Sequence, residues 1–310
     1  MKHQTLLTKS ERSERANSKQ HSFFALDFCP CADEDSCNPR KGEDAVRYFV
    51  SILLTLFIAV LSVLPSNSRA AETIRIAAYD FPPYFSAYDT EHLVGDLIEA
   101  LNGAQSDYQF ELHDVPSKAR FKALSDAGCC HLMLFESPTW GWAEQMPHLE
   151  VGDPMVLGAE RLVAVKKRDQ RGAEFFQREG LRFGGLIGYH YPFLGNRTDA
   201  GILEERFNVY LSLSHEVNMK MLLNGRFDVV MIHDEYLLQH RQQPWFDRLL
   251  LNPQAYGEYE LRTLINPEKG FALADWRRIV VPLIENGTLA RLLSKYKLPW
   301  PPKRTQLVTN

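Results

Sequence analysis

The chain has 310 residues, 45% of them hydrophobic, and a formal net charge of -4. That length fits one large domain or two lobes of about 100 residues each, and mild acidity without a basic patch excludes a nucleic-acid partner. Of the five cysteines, Cys29, Cys31 and Cys37 precede the long apolar run and Cys129 and Cys130 are neighbours, which excludes a dispersed disulfide scaffold.

Residues 1–45 are polar and without periodicity, and read as disordered or as sequence outside the native protein. Residues 46–70 read as a signal peptide. Arg47 is followed by an apolar core from Phe49 to Leu64, a breaker at Pro65, and the small residues Ser68 and Ala70 before a cut at Ala71. The alternative is a single membrane anchor, for which the run is short of the roughly 20 residues a span needs. The first strand beyond it is Thr73 to Ala78, with Ile74 and Ile76 on one face. Pro82 and Pro83 then turn Tyr79 to Phe85 into a rigid aromatic loop. His92 to Asn102 carries the stripe Leu93, Leu97, Ile98 and Leu101 of an amphipathic helix. Tyr108 to Leu112 is a strand, Lys118 to Ala127 a helix with Phe121 and Leu124 inward, and His131 to Phe135 a strand. That strand runs into the loop from Glu136 to Trp142. Strand, helix, strand, helix, strand is the rhythm of a parallel sheet with helices on its faces. The paired Cys129 and Cys130 form a vicinal disulfide in an oxidising compartment, or leave a thiol buried.

Glu160 to Lys166 is a further strand, and a second unit of the same rhythm follows. Its strands are Leu181 to Gly188, Val209 to Leu213 and Arg226 to His233. Its helices are Ser214 to Leu223, with Val217, Met221 and Leu222 inward, and one starting near Tyr236. Glu258 to Leu264 is a strand returning toward the first unit. Gly270 to Ala272 reads as one more short strand. Helices at Asp275 to Glu285 and Thr288 to Tyr296 close the fold, and residues 301–310 form a tail.

No nucleophile elbow, P-loop, dinucleotide fingerprint or zinc-protease motif is present. Glu136 at a strand end is a candidate general acid and His233-Asp234 a candidate acid–base pair. His190, His233 and His240 lack tetrahedral ligand spacing, so no metal and no cofactor is expected.

Several stretches, in order, resemble extracytoplasmic solute-binding proteins of the family serving polar amino acid ABC importers (family 3). They are TIRIAAYDFPPYF from Thr73, GDLIEAL from Gly95, VPSKARFKALSDAG from Val115, NMKMLLNGRFDVVMIHD from Asn218, and NGTLARLLSKY from Asn286. The resemblance implies an α/β, two-lobed periplasmic-binding-protein-like fold of type II. Each lobe is then a mostly parallel sheet flanked by helices, joined by two hinge strands. Lobe I is 72–163 plus 259–300 and lobe II is 164–258. It further implies a periplasmic, monomeric, soluble protein that binds a small-molecule solute between its lobes and hands it to an ABC permease, with no catalysis. The alternatives are a ligand-sensing receptor acting through a partner, and a dehydratase-like enzyme on the same fold.

By resemblance, Tyr79, Phe81 and Tyr84 form an aromatic wall of the ligand site. Asp234 accepts the ligand's ammonium group, while Asp228 is structural. The family's carboxylate-clamping arginine is missing, since Trp140, Gly141 and Trp142 stand where it is expected, and tryptophan cannot form a bidentate clamp. Arg120 is the candidate substitute and Trp140 and Trp142 the candidate stacking surfaces. Glu136, Tyr189 and Tyr191 complete the expected site, which departs from that of a plain α-amino acid.

Overall fold

The computed structural model describes residues 50–51, 70–166, 172–304 and 307. The N-terminal extension and the signal peptide therefore lie outside the described residues, apart from Val50, Ser51 and Ala70. The chain divides into units 1–67 and 68–310, and every element below belongs to the second. Among the described residues no helix is long and apolar enough to cross a membrane.

Among the described residues ten strands are joined in the order β2-β1-β3-β10-β5-β8-β6-β7, with β4 on β10 and β9 on β5. In the first lobe β1 (Glu72–Ala78) lies parallel to β2 (Tyr108–Asp114) and to β3 (Leu132–Glu136). In the second, β6 (Phe183–Leu186) lies parallel to β7 (Val209–Ser212) and β8 (Val229–His233). Between them β5 (Val156–Val165) and β10 (Gly257–Ile265) run antiparallel to each other. Strand β10 continues onto β3 and β5 onto β8, so this pair forms the bridge between two parallel sheets. Two short strands complete the set: β4 (Glu150–Val151) and β9 (Leu249–Leu251).

Strand β1 alternates from Glu72 to Ile76, burying Ile74 and Ile76 in the same core cluster as the stripe of helix α1 (Leu93–Ala104). The ring of His92 caps α1 by accepting the Gly95 amide at 2.9 Å. Leu93, Val94, Leu97 and Leu101 form its buried stripe, each worth roughly 2 kcal/mol of transfer free energy. Among the described residues of this unit the other α-helices are α2 (Arg120–Leu124), α3 (Trp142–Gln145), α4 (Ala200–Phe207), α5 (His215–Leu223), α6 (Asp234–Gln239), α7 (Leu273–Glu285) and α8 (Thr288–Lys295). In the first-lobe core α7 and α8 bury Trp276, Ile279, Leu283, Leu289 and Leu293. Smaller clusters around Val163, Met219 and Val230, and around Tyr191, Leu203 and Met231, fill the second lobe.

Four details depart from the sequence reading. The helix expected over Lys118 to Ala127 is a 3-10 turn followed by the short α2. It stops because the Leu124 carbonyl is taken by the Asn266 side chain at 3.0 Å and the Ala123 carbonyl by the Cys130 amide at 3.0 Å. Gly270 to Ala272 is not a strand: Gly270 is left-handed after a 3-10 turn, and Ala272 stands at the N-cap position of α7, its amide donating to Asp275 Oδ2 at 3.2 Å. Helix α5 turns His215, Asn218, Met219 and Leu222 inward and leaves Val217 exposed. Asn218 holds that orientation by donating to the Gly185 carbonyl at 2.9 Å. Helix α4 was not expected; Leu203 is its one buried residue, so its apolar period is faint, and Asp199 caps it.

Candidate functional site

The carboxyl ends of β1, β3, β6 and β8 converge between the lobes. The loop after β1 brings Tyr79, Phe81 and Tyr84 there, all buried. The turn after β6 brings Tyr189, which meets Tyr79 edge-on at 6.2 Å and Phe81 at 6.1 Å. Phe81 also touches His233 at the end of β8, with ring centroids 4.8 Å apart. Trp140 packs edge-on against Phe81 at 5.7 Å and against Tyr259 of β10 at 5.0 Å. The lobes thus meet through interlocking aromatic rings, and the space among Tyr79, Arg120, Trp140, Glu160, Gly188, Tyr189 and His190 is about 10 Å³. A wider space of about 320 Å³ lies at the mouth, between Asp80, Tyr88, Asp114 and Lys118 on one lobe and Ile187 and Leu213 on the other.

Polar contacts fasten this closure. Arg120 Nη1 donates to the Gly188 carbonyl at 2.7 Å, and Nη2 to His190 Nδ1 at 2.8 Å. Burial and the Arg120 charge push the His190 pKa down to about 4, so the neutral ring accepts. Ser117 Oγ donates to the Ile187 carbonyl at 2.7 Å, and the Tyr189 hydroxyl to the Asp80 carbonyl at 3.3 Å. Gly188 permits this approach. Its φ is +82°, and a Cβ there would lie 2.7 Å from Ser117 Oγ and 2.9 Å from the Lys118 amide.

The expected site residues divide into three groups. Tyr79, Phe81, Tyr84, Arg120, Trp140 and Tyr189 come together in the cleft. Glu136 and Trp142 stand behind it: Trp142 is fully buried, and its Nε1 donates to Glu136 Oε2 at 2.6 Å. Burial raises the Glu136 pKa, while Arg120, Tyr79 and Trp142 stabilise its charge. Tyr191 and Asp234 turn elsewhere. The Tyr191 hydroxyl accepts the Leu186 amide at 2.6 Å inside the second-lobe core. Asp234 receives Arg161 Nε and Nη2 on its two oxygens, on the side of β5 where Pro253, Glu258 and Arg304 also lie. Asp228 pairs with Arg182 at 2.9 Å at the start of β6.

Sequence reasoning missed Glu160 and Glu235. Burial, with the like charge of Glu235 next, pushes Glu160 up to about 8. Burial likewise pushes Glu235 up to about 7, although it accepts the Tyr259 hydroxyl at 2.7 Å. The available signal was Glu160-Arg161 inside an otherwise apolar strand, where a charge has to find a partner. The paired cysteines are joined as a vicinal disulfide, Cys129–Cys130. Among the described residues His113, Cys129 and Cys130 are the one group of three with metal-capable atoms within 4.8 Å, and the disulfide removes both thiolates as ligands.

No protein-family model matches the chain, and no curated protein matches its sequence. Solved structures do match its fold. The AvGluR1 ligand binding domain in complex with glutamate is 18% identical with a TM-score of 0.55, over 73% of this chain and 95% of that one. A mutant of ArgBP from T. maritima is 15% identical with a TM-score of 0.56, over 74% and 96%. The probable amino-acid ABC transporter extracellular-binding protein ytmK from Bacillus subtilis is 14% identical with a TM-score of 0.53, over 73% and 98%. The fold is the two-lobed periplasmic-binding-protein type II architecture, and it resembles that of extracellular amino-acid-binding proteins of ABC transporters.

Proposed function

We propose that the chain is an exported solute-binding protein that takes a small polar or aromatic solute between its lobes and delivers it to an ABC permease. Residues 46–70 serve as its export signal, and the mature protein acts in the periplasm as a soluble monomer. Lobe I comprises 72–163 and 259–300, lobe II 164–258, and the β5–β10 bridge is the hinge. One observation carries this reading: aromatic rings from both lobes line a cleft that Arg120, Ser117 and Tyr189 fasten across the gap. Such a closure is one end of a hinge motion, and a solute that contacts both walls stabilises it.

Tyr79, Phe81, Trp140 and Tyr189 provide stacking faces, with Tyr84 behind Phe81. Arg120 keeps its contacts to Gly188 and His190 and so fastens the lobes over the bound solute. A receptor role through a partner is the second reading, favoured by the fold match to the AvGluR1 ligand binding domain. Catalysis is not proposed, because Glu136, the candidate acid, is held by Trp142 behind the cleft.

The test is a thermal-shift screen of the purified chain against amines, amino acids and aromatic acids. Saturable stabilisation without turnover supports binding. Product formation that is lost in Glu136→Gln supports an enzyme instead. A permease and ATPase encoded beside the gene favour import over sensing.

A further inference from the structure

Glu160 lines the cleft, and Glu235 lies against Gly158 of the bridge, bordering the space that also holds Arg161 and Asp234; among the described residues neither carboxyl is hydrogen-bonded to an arginine or lysine, although the Arg161 charge acts on Glu235. Arg161 is neutralised by Asp234 through both oxygens. Arg120 serves Glu136 and is tied to Gly188 and His190. Glu160 and Glu235 remain, 7% and 1% exposed, and the charges acting on Glu160 are those of Glu235 and Asp234, both of its own sign. They share one face of the bridge because Gly158 opens it: a Cβ at Gly158 would lie 2.1 Å from Glu235 Oε1 and 2.1 Å from the Tyr259 ring.

Protein donors do not saturate the pair. Glu235 Oε2 accepts the Tyr259 hydroxyl at 2.7 Å, while His233 Nδ1, 3.3 Å away, itself accepts the Tyr236 amide at 3.2 Å. Beside it the buried Tyr84 hydroxyl, on which the Glu235 charge acts, has no hydrogen-bond partner. For Glu160 the buried Tyr256 hydroxyl is the neighbouring donor, favouring its charged form but outside good hydrogen-bond geometry. An anionic solute entering here meets two carboxyls. A neutral apolar one leaves them unpaired. A cation takes the place of the proton that burial otherwise keeps on these carboxyls, and the faces of Trp140 and Tyr259 are attractive to it. The opposite end of the cleft offers little to a carboxylate, since Arg120 Nε is the one guanidinium nitrogen there without a partner, too little for a bidentate clamp.

Resting on the binding reading above, we propose that the solute carries an ammonium or amidinium group and no carboxylate. Its cationic head lies between Glu160 and Glu235, and its body lies against Trp140, Tyr79 and Tyr189. Lobe opening is required, because the closed cleft has room for about 10 Å³.

Tyramine and 4-hydroxyphenylacetate share a ring and oppose each other in charge, so calorimetric titration of the purified full chain with each separates the cases. Tyramine is expected to bind at least about tenfold tighter, a difference of about 1.4 kcal/mol or more. Glu160→Gln and Glu235→Gln should each weaken tyramine by about tenfold or more, with urea midpoints no lower than wild type, which excludes unfolding as the cause. Tighter binding of the acid overturns the cationic assignment and leaves the binding reading standing. So does a Gln variant that binds tyramine as well as wild type. Absence of binding by tyramine, agmatine and choline, while an amino acid or aromatic acid binds, has the same meaning. Silence of every amine, amino acid and acid overturns both.

Discussion

Glu160→Gln should change how stability depends on pH. Burial raises Glu160 from its ordinary 4.5 to about 8 and Glu235 from 4.5 to about 7. Between the ordinary and folded values the folded chain holds a proton that the unfolded chain has released. Stability therefore falls as pH rises through this window. His215 and His233 act in the opposite sense. Burial lowers His215 well below 6.5, and His233 from 6.5 to about 3, so they make stability rise with pH only below 6.5. Above 6.5 the carboxyls act unopposed by these histidines. Each pH step within a group's window removes about 1.4 kcal/mol. From pH 6.5 to 8 Glu160 then accounts for about 2 kcal/mol, and Glu235, which stops near 7, for less than about 1 kcal/mol. Urea unfolding followed by tryptophan fluorescence across this range should show wild type losing about 2 to 3 kcal/mol. Glu160→Gln, which keeps the side chain's size without the titration, should lose less than about 1 kcal/mol. A wild type whose stability is flat or rises over the range, or a variant with the wild-type slope, refutes the reasoning.

Other consequences follow from the same contacts. Arg120→Met removes two interlobe hydrogen bonds from a charged donor, together worth about 3 to 6 kcal/mol, so small-angle scattering of the ligand-free variant should report a larger maximum dimension than wild type. Gly188→Ala should open the lobes as well, because the left-handed backbone costs about 1–2 kcal/mol for alanine and its Cβ meets Ser117; an unchanged scattering profile would refute this. Arg161→Met leaves Asp234 buried and unpaired and should cost about 3–5 kcal/mol in urea unfolding. Arg161→Met combined with Asp234→Leu should recover most of that loss.

Much of the frame was legible because local pattern and tertiary fate agree in it. Ile74 and Ile76 alternate inward, the Leu93–Leu101 stripe is helical, and the two strand–helix–strand runs became the two parallel sheets. Two of the misreadings come from partners distant in sequence. Asn266 shortens α2 from 142 positions away. Asn218 rotates α5 by reaching the Gly185 carbonyl. Within the cleft, the aromatic residues were legible because rings after a strand end have few other places to pack. Glu160 and Glu235 were not. Whether a carboxylate in an apolar strand finds an arginine depends on which side of the strand each occupies, and here Arg161 faces Asp234. Tyr191 also misled, since its hydroxyl is claimed by the Leu186 amide of its own lobe.

The central claim is that solute binds between the lobes against their aromatic walls. Calorimetric titration of a stabilising solute into wild type, Tyr189→Ala and the distant surface variant Arg278→Ala tests it most directly. The prediction is one saturable site, weakened at least about tenfold in Tyr189→Ala and unchanged in Arg278→Ala. Equal affinity in all three proteins would contradict it.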